Sequence, residues 1–128
     1  MFNKIDANVL FVKDLETCLA FYRDVVGLEP GFTDDESVAF KMQGTDFVIL
    51  KAPAAADMMN EAVIAFDQAK GYRVLMCAGV ENVDTVYQAL ADKGATMIKA
   101  PQDQPWGRRT AYFSDPEGNL WEIFHHLT

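Results

Sequence analysis

The most informative stretch of this sequence is Pro105-Trp-Gly-Arg-Arg-Thr-Ala-Tyr-Phe-Ser-Asp-Pro-Glu-Gly-Asn-Leu-Trp-Glu-Ile123. Its β-branched and aromatic residues predict two strands, over residues 110–114 and 120–125. Residues 115–119, Asp-Pro-Glu-Gly-Asn, have the chemistry of a tight turn. Proline presets φ, glycine tolerates a positive φ, and Asp and Asn bond to their own backbone. The stretch therefore predicts an antiparallel hairpin.

Outward from this hairpin, the same order of predicted elements occurs twice. A strand over 5–12 precedes a helix with Asp14 as N-cap, and a strand over 73–80 precedes a helix with Asn82 as N-cap, 68 positions later. Gly27 and Gly94 end these helices. The other predicted strands are 29–33, 37–42 and 47–51 in the first half, and 95–99, 110–114 and 120–125 in the second. This repeat predicts an α+β fold of paired β-α-β-β-β modules.

The two modules cover about residues 1–52 and 72–128 of a single domain, and the segment between them is rich in alanine. Its composition predicts a loop that leads into a partly helical linker. Several flexible or apolar side chains occupy its middle, namely Met58, Met59, Val63, Ile64 and Phe66. The linker then either packs as an ordinary connector or forms an adaptable flap over a pocket.

Composition limits the functions that this chain can have. It has 128 residues and is 50% hydrophobic, which indicates one globular domain. A net charge of -8 argues against nucleic acid and anionic membranes as partners, because both are bound by Lys/Arg surfaces. Without a leader pattern or an apolar span, the chain is expected in the cytoplasm. Cys18 and Cys77 have no metal-binding or redox spacing and are predicted to be buried free thiols.

Three motifs together resemble the glyoxalase/bleomycin resistance protein/dioxygenase superfamily, also called vicinal oxygen chelate. They are Ile-Asp-Ala-Asn-Val-Leu-Phe-Val-Lys-Asp-Leu at 5–15, Ala-Phe-Tyr-Arg-Asp-Val-Val-Gly-Leu at 20–28, and the Asp-Pro-Glu-Gly-Asn turn. The resemblance covers essentially the whole chain. It implies a curled, cup-shaped mixed sheet with helices outside, and a homodimer that completes the cup.

The resemblance also implies four inward-facing positions that bind a divalent ion in the metalloenzymes of this superfamily. In this chain they hold Ala7, Ile49, Leu75 and Glu122. Zinc requires three or four N, S or O donors, and hydrocarbon side chains provide none. His126 shares the face of Glu122 but lies about 13 Å along the strand. We therefore predict that no metal and no other cofactor is bound.

The hairpin supplies the polar groups of such a metal-free cup. If Ser114 pairs with Leu120, Tyr112 lies opposite Glu122, with Thr110 and Arg108 farther along the same face. A register slip of one residue would replace Arg108 by Arg109. The Glu122 carboxylate then either contacts Tyr112 or Arg108 internally or meets an amine or amide of a ligand.

Two aromatic residues complete the predicted site. Phe47 shares the strand parity of Ile49, and Trp106 is either a platform for the ligand or a dimer contact. The predicted ligand-binding residues are Glu122, Tyr112, Thr110, Arg108, Trp106 and Phe47. No nucleophile or acid–base motif is recognisable, so no catalytic residue is predicted.

These residues favour a metal-free binding protein that is similar to bleomycin resistance proteins. It would sequester an aromatic or cationic compound in a dimeric cup and so act in antibiotic resistance. The acidic net charge of the chain suits a cationic ligand. The alternative is a divalent-metal-dependent lyase, isomerase or dioxygenase of the same superfamily. A domain with a filled cup that merely dimerises is a third interpretation.

Overall fold

A computed structural model describes residues 1, 3–59 and 74–128. The contacts group the chain into two compact units, Met1–Phe66 and Asp67–Thr128. Each unit contains a four-stranded mixed sheet. The predicted α+β class and the order β-α-β-β-β of each module are therefore confirmed. No helix within the described ranges is both long and apolar enough to cross a membrane.

The first unit begins with strand β1 (Ala7–Val12) and helix α1 (Leu15–Ala20), which continues as a π-helical turn (Phe21–Val25). Three strands and a helix follow: β2 (Pro30–Thr33), β3 (Ser37–Phe40), β4 (Asp46–Lys51) and α2 (Ala52–Met58). The sheet order is β1-β4-β3-β2. β1 is parallel to β4, and the other pairs are antiparallel.

The second unit repeats this arrangement. Its elements are β5 (Leu75–Gly79), α3 (Val83–Asp92), β6 (Thr96–Asp103), β7 (Arg108–Ser114) and β8 (Leu120–His126). The sheet order is β5-β8-β7-β6, with β5 parallel to β8. Because β8 lies between β5 and β7, its side chains have neighbours on both sides.

The same local chemistry begins and ends the two repeated helices. The Asp14 carboxylate accepts a hydrogen bond from Thr17 N at 3.0 Å, and the Asn82 side chain accepts one from Thr85 N at 3.1 Å. Each bond satisfies a backbone donor that the first helical turn leaves without a partner. Gly27 and Gly94 follow the helices with φ of 86° and 88°. Both N-caps and both terminating glycines are as predicted.

Aromatic and aliphatic side chains between sheet and helix form the core of each unit. In the first, fully buried Tyr22 contacts Phe40 and Phe47, with ring centroids 5.7 and 5.1 Å apart. In the second, Phe113 and Trp121 stack with centroids 6.1 Å apart. Their face of the second sheet also carries Arg109 and His125, which bond to α3. The opposite face of the second sheet is therefore the one that α3 does not cover.

The segment after β4 differs from its prediction. Residues 52–58 form helix α2 where a loop was expected, because Pro53 fits the first helical turn and the alanines favour a helix. Met58 and Met59 are exposed at its end. Val63, Ile64 and Phe66, which were considered for a flap, lie outside the described residues.

Candidate functional site

The hairpin of β7 and β8 has the predicted register. Ser114 pairs with Leu120, and Tyr112 pairs with Glu122. The turn is organised by the buried Asp115 carboxylate, whose Oδ1 accepts hydrogen bonds from Glu117 N at 2.9 Å and Asn119 N at 2.8 Å. Its Oδ2 accepts a third bond from the Asn119 side chain at 2.8 Å. These bonds fix which residues of the two strands face each other.

We call the side of the second sheet that α3 does not cover the Glu122 face. It carries the even-numbered residues of β7 and β8 and the odd-numbered residues of β5, because paired residues share a face. Its members include Leu75, Cys77, Arg108, Thr110, Tyr112, Glu122 and Phe124. Four of the six predicted ligand-binding residues are thus brought together on one surface.

A chain of hydrogen bonds runs across this face to Glu122. The Tyr112 hydroxyl donates to Glu122 Oε1 at 2.7 Å, and Gln104 Nε2 donates to Thr110 Oγ1 at 3.0 Å. Thr110 and Tyr112 lie two residues apart on β7, and a hydrogen bond from Thr110 opposes the rise of the Tyr112 pKa. Of the two interpretations of Glu122, the internal contact with Tyr112 is therefore present.

The neighbours of Glu122 hold their protons. Burial, and then the hydrogen bond to Glu122, raise the pKa of the Tyr112 hydroxyl. Partial desolvation by its neighbours on the sheet, and then the charge of Glu122, raise the pKa of the Cys77 thiol, which Arg108 opposes. Since Cys77 pairs with Glu122 across β5 and β8, a protonated donor stands on each side of the carboxylate.

Cys77 was predicted to be buried, and this is wrong, because its side chain is exposed. β5 is an edge strand, and Cys77 lies on the side of the sheet that α3 does not cover. Sequence reasoning missed it as a site residue although a signal existed, since it shares the strand parity of Leu75. Cys18, by contrast, is buried as expected.

Two neighbouring arginines of β7 have different surroundings. The guanidinium carbon of Arg108 lies 4.1 Å from the centroid of the Phe124 ring, on the Glu122 face. Arg109 lies on the other face and bonds to Asp84 at 2.8 and 2.9 Å and to Asp103 at 2.9 Å. The register slip that would have exchanged the two arginines is therefore absent.

The first sheet corrects two expectations. Ile49 pairs with Leu10 and Phe47 with Asn8, so both lie on the face opposite Ala7. Phe47 is 1% exposed and packs against Tyr22, so the expectation that it lines the cup is wrong. The β4 residue that shares a face with Ala7 and pairs with Val9 is Val48.

The positions that bind metal in related enzymes remain poor in donors after this correction. The β4 residues on either side of Ile49 that share the face of Ala7 are Val48 and Leu50, and both are hydrocarbons, as are Ala7 and Leu75. Asp46, which pairs with Ala7, adds a single carboxylate on that sheet. In the described ranges no group of three or more His, Cys, Asp or Glu side chains could hold a metal ion. This donor set does not fit a divalent ion.

The remaining predicted residues have contrasting exposure. Thr110 is almost completely buried, so its hydroxyl serves the hydrogen-bond chain. Trp106 is 63% exposed in the loop before β7, where Gly107 has a φ of 87°. Two surface cavities of about 410 and 350 Å³ lie elsewhere, on the first unit, and both are lined by Asp34. Asp34 Oδ1 already accepts bonds from Glu36 N and Ser37 N, so this carboxylate is engaged in the turn before β3.

Comparison with known proteins agrees with this geometry. A family model described as the Glyoxalase/Bleomycin resistance protein/Dioxygenase superfamily matches residues 4–123. The uncharacterized protein YraH of Bacillus subtilis is 30% identical over 121 residues, which cover 92% of this chain and 94% of YraH. A glyoxalase/bleomycin resistance protein/dioxygenase from Nocardioides has a TM-score of 0.85 and 25% identity, covering 99% of this chain and 85% of that one.

A solved lactoylglutathione lyase from Agrobacterium tumefaciens is similar in fold. It has a TM-score of 0.76 and 21% identity, and the match covers 97% of this chain and 94% of the lyase. At that identity the likeness concerns the fold alone. The reaction in its name is therefore information about the lyase and not about this chain.

Proposed function

Because this chain belongs to the glyoxalase/bleomycin resistance protein/dioxygenase superfamily, we propose that it binds a small molecule on its Glu122 face without a metal ion. The observation that carries the proposal is the 2.7 Å hydrogen bond from Tyr112 to Glu122 on a face that also carries the apolar side chains of Leu75, Leu120 and Phe124. A few convergent polar groups within an apolar surface are typical of small-molecule sites.

The Tyr112–Glu122 pair gives such a site its direction. Because the Tyr112 proton points to Glu122, the phenol oxygen acts as an acceptor, and Thr110 uses part of its capacity. The rest of that capacity, and the acceptor capacity that Glu122 retains, can serve a ligand donor, and the carboxylate strengthens the phenol oxygen as an acceptor. A ligand amine, amide or hydroxyl would donate to this pair. Leu75 and Phe124 on the same face would contribute shape and desolvation.

Trp106 has a separate part in the proposal. Its indole is exposed in the loop that leads into β7, and an aromatic ring in this state offers a surface on which a flat ligand can stack. It would equally fill a dimer contact. An aromatic or cationic guest suits both the ring and the carboxylate, and sequestering an antibiotic is the biological role that we propose.

The proposal includes a homodimer. Each strand at a sheet edge carries an exposed large apolar side chain, namely Val9 on β1, Phe32 on β2, Leu75 on β5 and Ile98 on β6. Exposed apolar edge strands favour association with another chain. Symmetric pairing of two copies is the commonest way to cover them.

Calorimetric titration tests the binding proposal. The probes are metal-free bleomycin and the aromatic amines that raise the melting temperature of the protein in a screen. Tyr112→Phe and Glu122→Gln should each weaken binding about tenfold or more, because each leaves a partner unpaired, and tenfold corresponds to about 1.4 kcal/mol. Trp106→Ala should weaken binding as well if its ring stacks on the guest. Tyr87→Phe, on helix α3, is the matched control and should bind normally.

Elemental analysis separates this proposal from the metalloenzyme alternative. Purified protein, incubated with nickel, zinc, manganese or iron and then desalted, should hold metal only at background. Glu122→Gln should be indistinguishable from the wild type in this assay. Near one ion per subunit in the wild type, released by Glu122→Gln, would contradict metal-free binding and favour a lyase, isomerase or dioxygenase.

A further inference from the structure

We infer that the ligand of the Glu122 face is a zwitterion with a carboxylate that binds Arg108 and an amine that binds the Tyr112–Glu122 pair. This inference rests on the proposed function and adds a second charge to the guest. The acidic composition of the chain pointed only to a cationic compound. The arrangement of side chains on the face also provides for an anion.

The Arg108 guanidinium is positioned to bind an anion. Its carbon lies over the Phe124 ring, 4.1 Å from the centroid, so the aromatic face holds the cation in place. This contact leaves N–H donors of the guanidinium available. A planar fork of donors matches a carboxylate, which it binds through two parallel hydrogen bonds.

The ion pairs of the described arginines also favour Arg108 as the residue that binds an anion. Arg23 pairs with Asp24, and Arg109 pairs with Asp84 and Asp103. In the part of the chain that the structure describes, Arg108 has no ion pair with a carboxylate. Arg108 is also partly buried. A half-buried cation without a carboxylate on an otherwise acidic protein is a good anchor for an anionic group.

The spacing of the two charges selects a compact ligand. Glu122 and Phe124 are two residues apart on β8 and share a face, so about 7 Å separates them along the strand. Arg108 lies over Phe124, and its charge reaches Cys77, the residue opposite Glu122. Two charge-assisted hydrogen bonds of about 2.8 Å each leave room for only a few atoms between amine and carboxylate. An amino acid with an aromatic side chain has this size and could also contact Phe124.

Three matched probes test the inference by NMR titration of ¹⁵N-labelled protein. L-phenylalanine carries both charges, phenethylamine carries only the amine, and 3-phenylpropanoate carries only the carboxylate. The amide signals of β7 and β8 report binding. L-phenylalanine should bind at least tenfold more tightly than either other probe, because only it engages both charged groups.

Substitution of Arg108 assigns the second charge. Arg108→Gln should weaken the binding of L-phenylalanine at least tenfold and leave the affinity for phenethylamine unchanged. The affinity of Arg108→Lys for L-phenylalanine should be intermediate, because lysine keeps the charge but loses the planar fork of donors. Arg108→Lys also serves if the Gln variant does not fold. Arg23→Gln, an exposed arginine of the first unit, is the control and should bind all probes normally.

The possible failures are distinguishable. Equal affinity of the wild type for L-phenylalanine and phenethylamine, or no effect of either Arg108 substitution, overturns the zwitterion inference and leaves metal-free binding standing. If none of the three probes shifts β7 or β8 signals at tens of millimolar, the zwitterion inference is overturned. If bleomycin and the aromatic amines also fail to bind in calorimetry, the proposed function fails as well.

Discussion

Glu122 is a buried carboxylate that lies beside neutral donors on its own face of the sheet. Burying an unpaired carboxylate costs several kcal/mol, whereas each hydrogen bond to a charged group returns about 1.5–3 kcal/mol. Tyr112 donates one such bond directly, and the protonated thiol of Cys77 stands on the other side. The charge is therefore stabilised by neutral donors, which leaves Arg108 to act on another group.

The reactivity of Cys77 measures this interaction. Its pKa is raised by partial desolvation and then by Glu122, so little thiolate is present at pH 8. Glu122→Gln removes the negative charge and should lower the Cys77 pKa, which increases the thiolate fraction. Alkylation by iodoacetamide at pH 8, followed by peptide mass spectrometry, should therefore be faster in this variant.

Controls for this measurement come from the same chain. In the variant Glu16→Gln, which changes an exposed residue of α1, iodoacetamide should alkylate Cys77 at the wild-type rate. Cys18 is fully buried and should remain unmodified in all three proteins. If Cys77 reacts at the same rate with and without Glu122, the carboxylate does not control the thiol.

Single residues also show which contacts the sequence could predict. Tyr112 and Glu122 were paired correctly because five turn residues with recognisable chemistry fix the hairpin register. Phe47 and Ile49 were placed on the wrong face because β1 and β4 are far apart in sequence. Their parallel register depends on tertiary pairing, and a shift of one residue moves every side chain to the other face.

Among the secondary-structure elements, Arg109 connects three parts of the second unit. It joins β7 to α3 through Asp84 and to β6 through Asp103. The hydrogen bond from Arg109 lowers the pKa of Asp84. A carboxyl group whose pKa is lowered by folding stabilises the native state above its unfolded pKa, and this stabilisation is lost as the pH falls through the folded value.

Arg109→Gln should therefore destabilise the protein at pH 7, and the loss should shrink as the pH falls below the ordinary pKa of an aspartate and Asp84 becomes protonated. Urea unfolding at a series of pH values measures the difference in free energy between the two proteins. Arg23→Gln removes an exposed ion pair within one turn of the first unit. Its free energy of unfolding should differ less from that of the wild type at every pH. If the difference in the free energy of unfolding between Arg109→Gln and the wild type does not change with pH, this account is contradicted.

The turn between β7 and β8 depends on Asp115 in a way that substitution can resolve. Asp115→Ala removes the acceptor for Glu117 N, Asn119 N and the Asn119 side chain. It should lower the free energy of unfolding by at least about 2 kcal/mol, since the bonds involve a buried charged group. Asp115→Asn keeps the oxygen that serves the two backbone donors and should cost less, as urea unfolding can show. If both variants lose the same free energy of unfolding, the hydrogen bonds to the two backbone donors are not what stabilises the turn.

At the level of elements, local signals were sufficient for most of the fold. Alternating strands, Asp14 and Asn82 as caps, and Gly27 and Gly94 as stops are all encoded within a few residues. Helix α2 was missed because alanine-rich segments after a proline fit both a loop and a helix. Whether this segment forms a helix or a loop depends on the burial of Ala54 and Ala55, which is a tertiary effect.

Considering the whole molecule, the apolar sheet edges carry the prediction of a homodimer. Sedimentation equilibrium at micromolar concentration should give twice the mass of the chain, because pairing would cover at least one of Val9, Phe32, Leu75 and Ile98. Replacing each in turn by Lys should shift the equilibrium toward monomer for the residue that lies in the interface. A purely monomeric wild type would contradict the prediction.

The short turn at Asp115 also has a consequence for the time course of folding. β7 and β8 meet after closing a loop of only a few residues, whereas β5 must find β8 across most of the second unit, from Leu75 to Leu120. Short loops close at a smaller entropic cost, so we expect the hairpin to form early and β5 to dock late. By the same reasoning β5 detaches first in native-state fluctuations, and its amides exchange with deuterium sooner than those of β8. The strand that carries the thiol is then the last part of its sheet to assemble and the first to open.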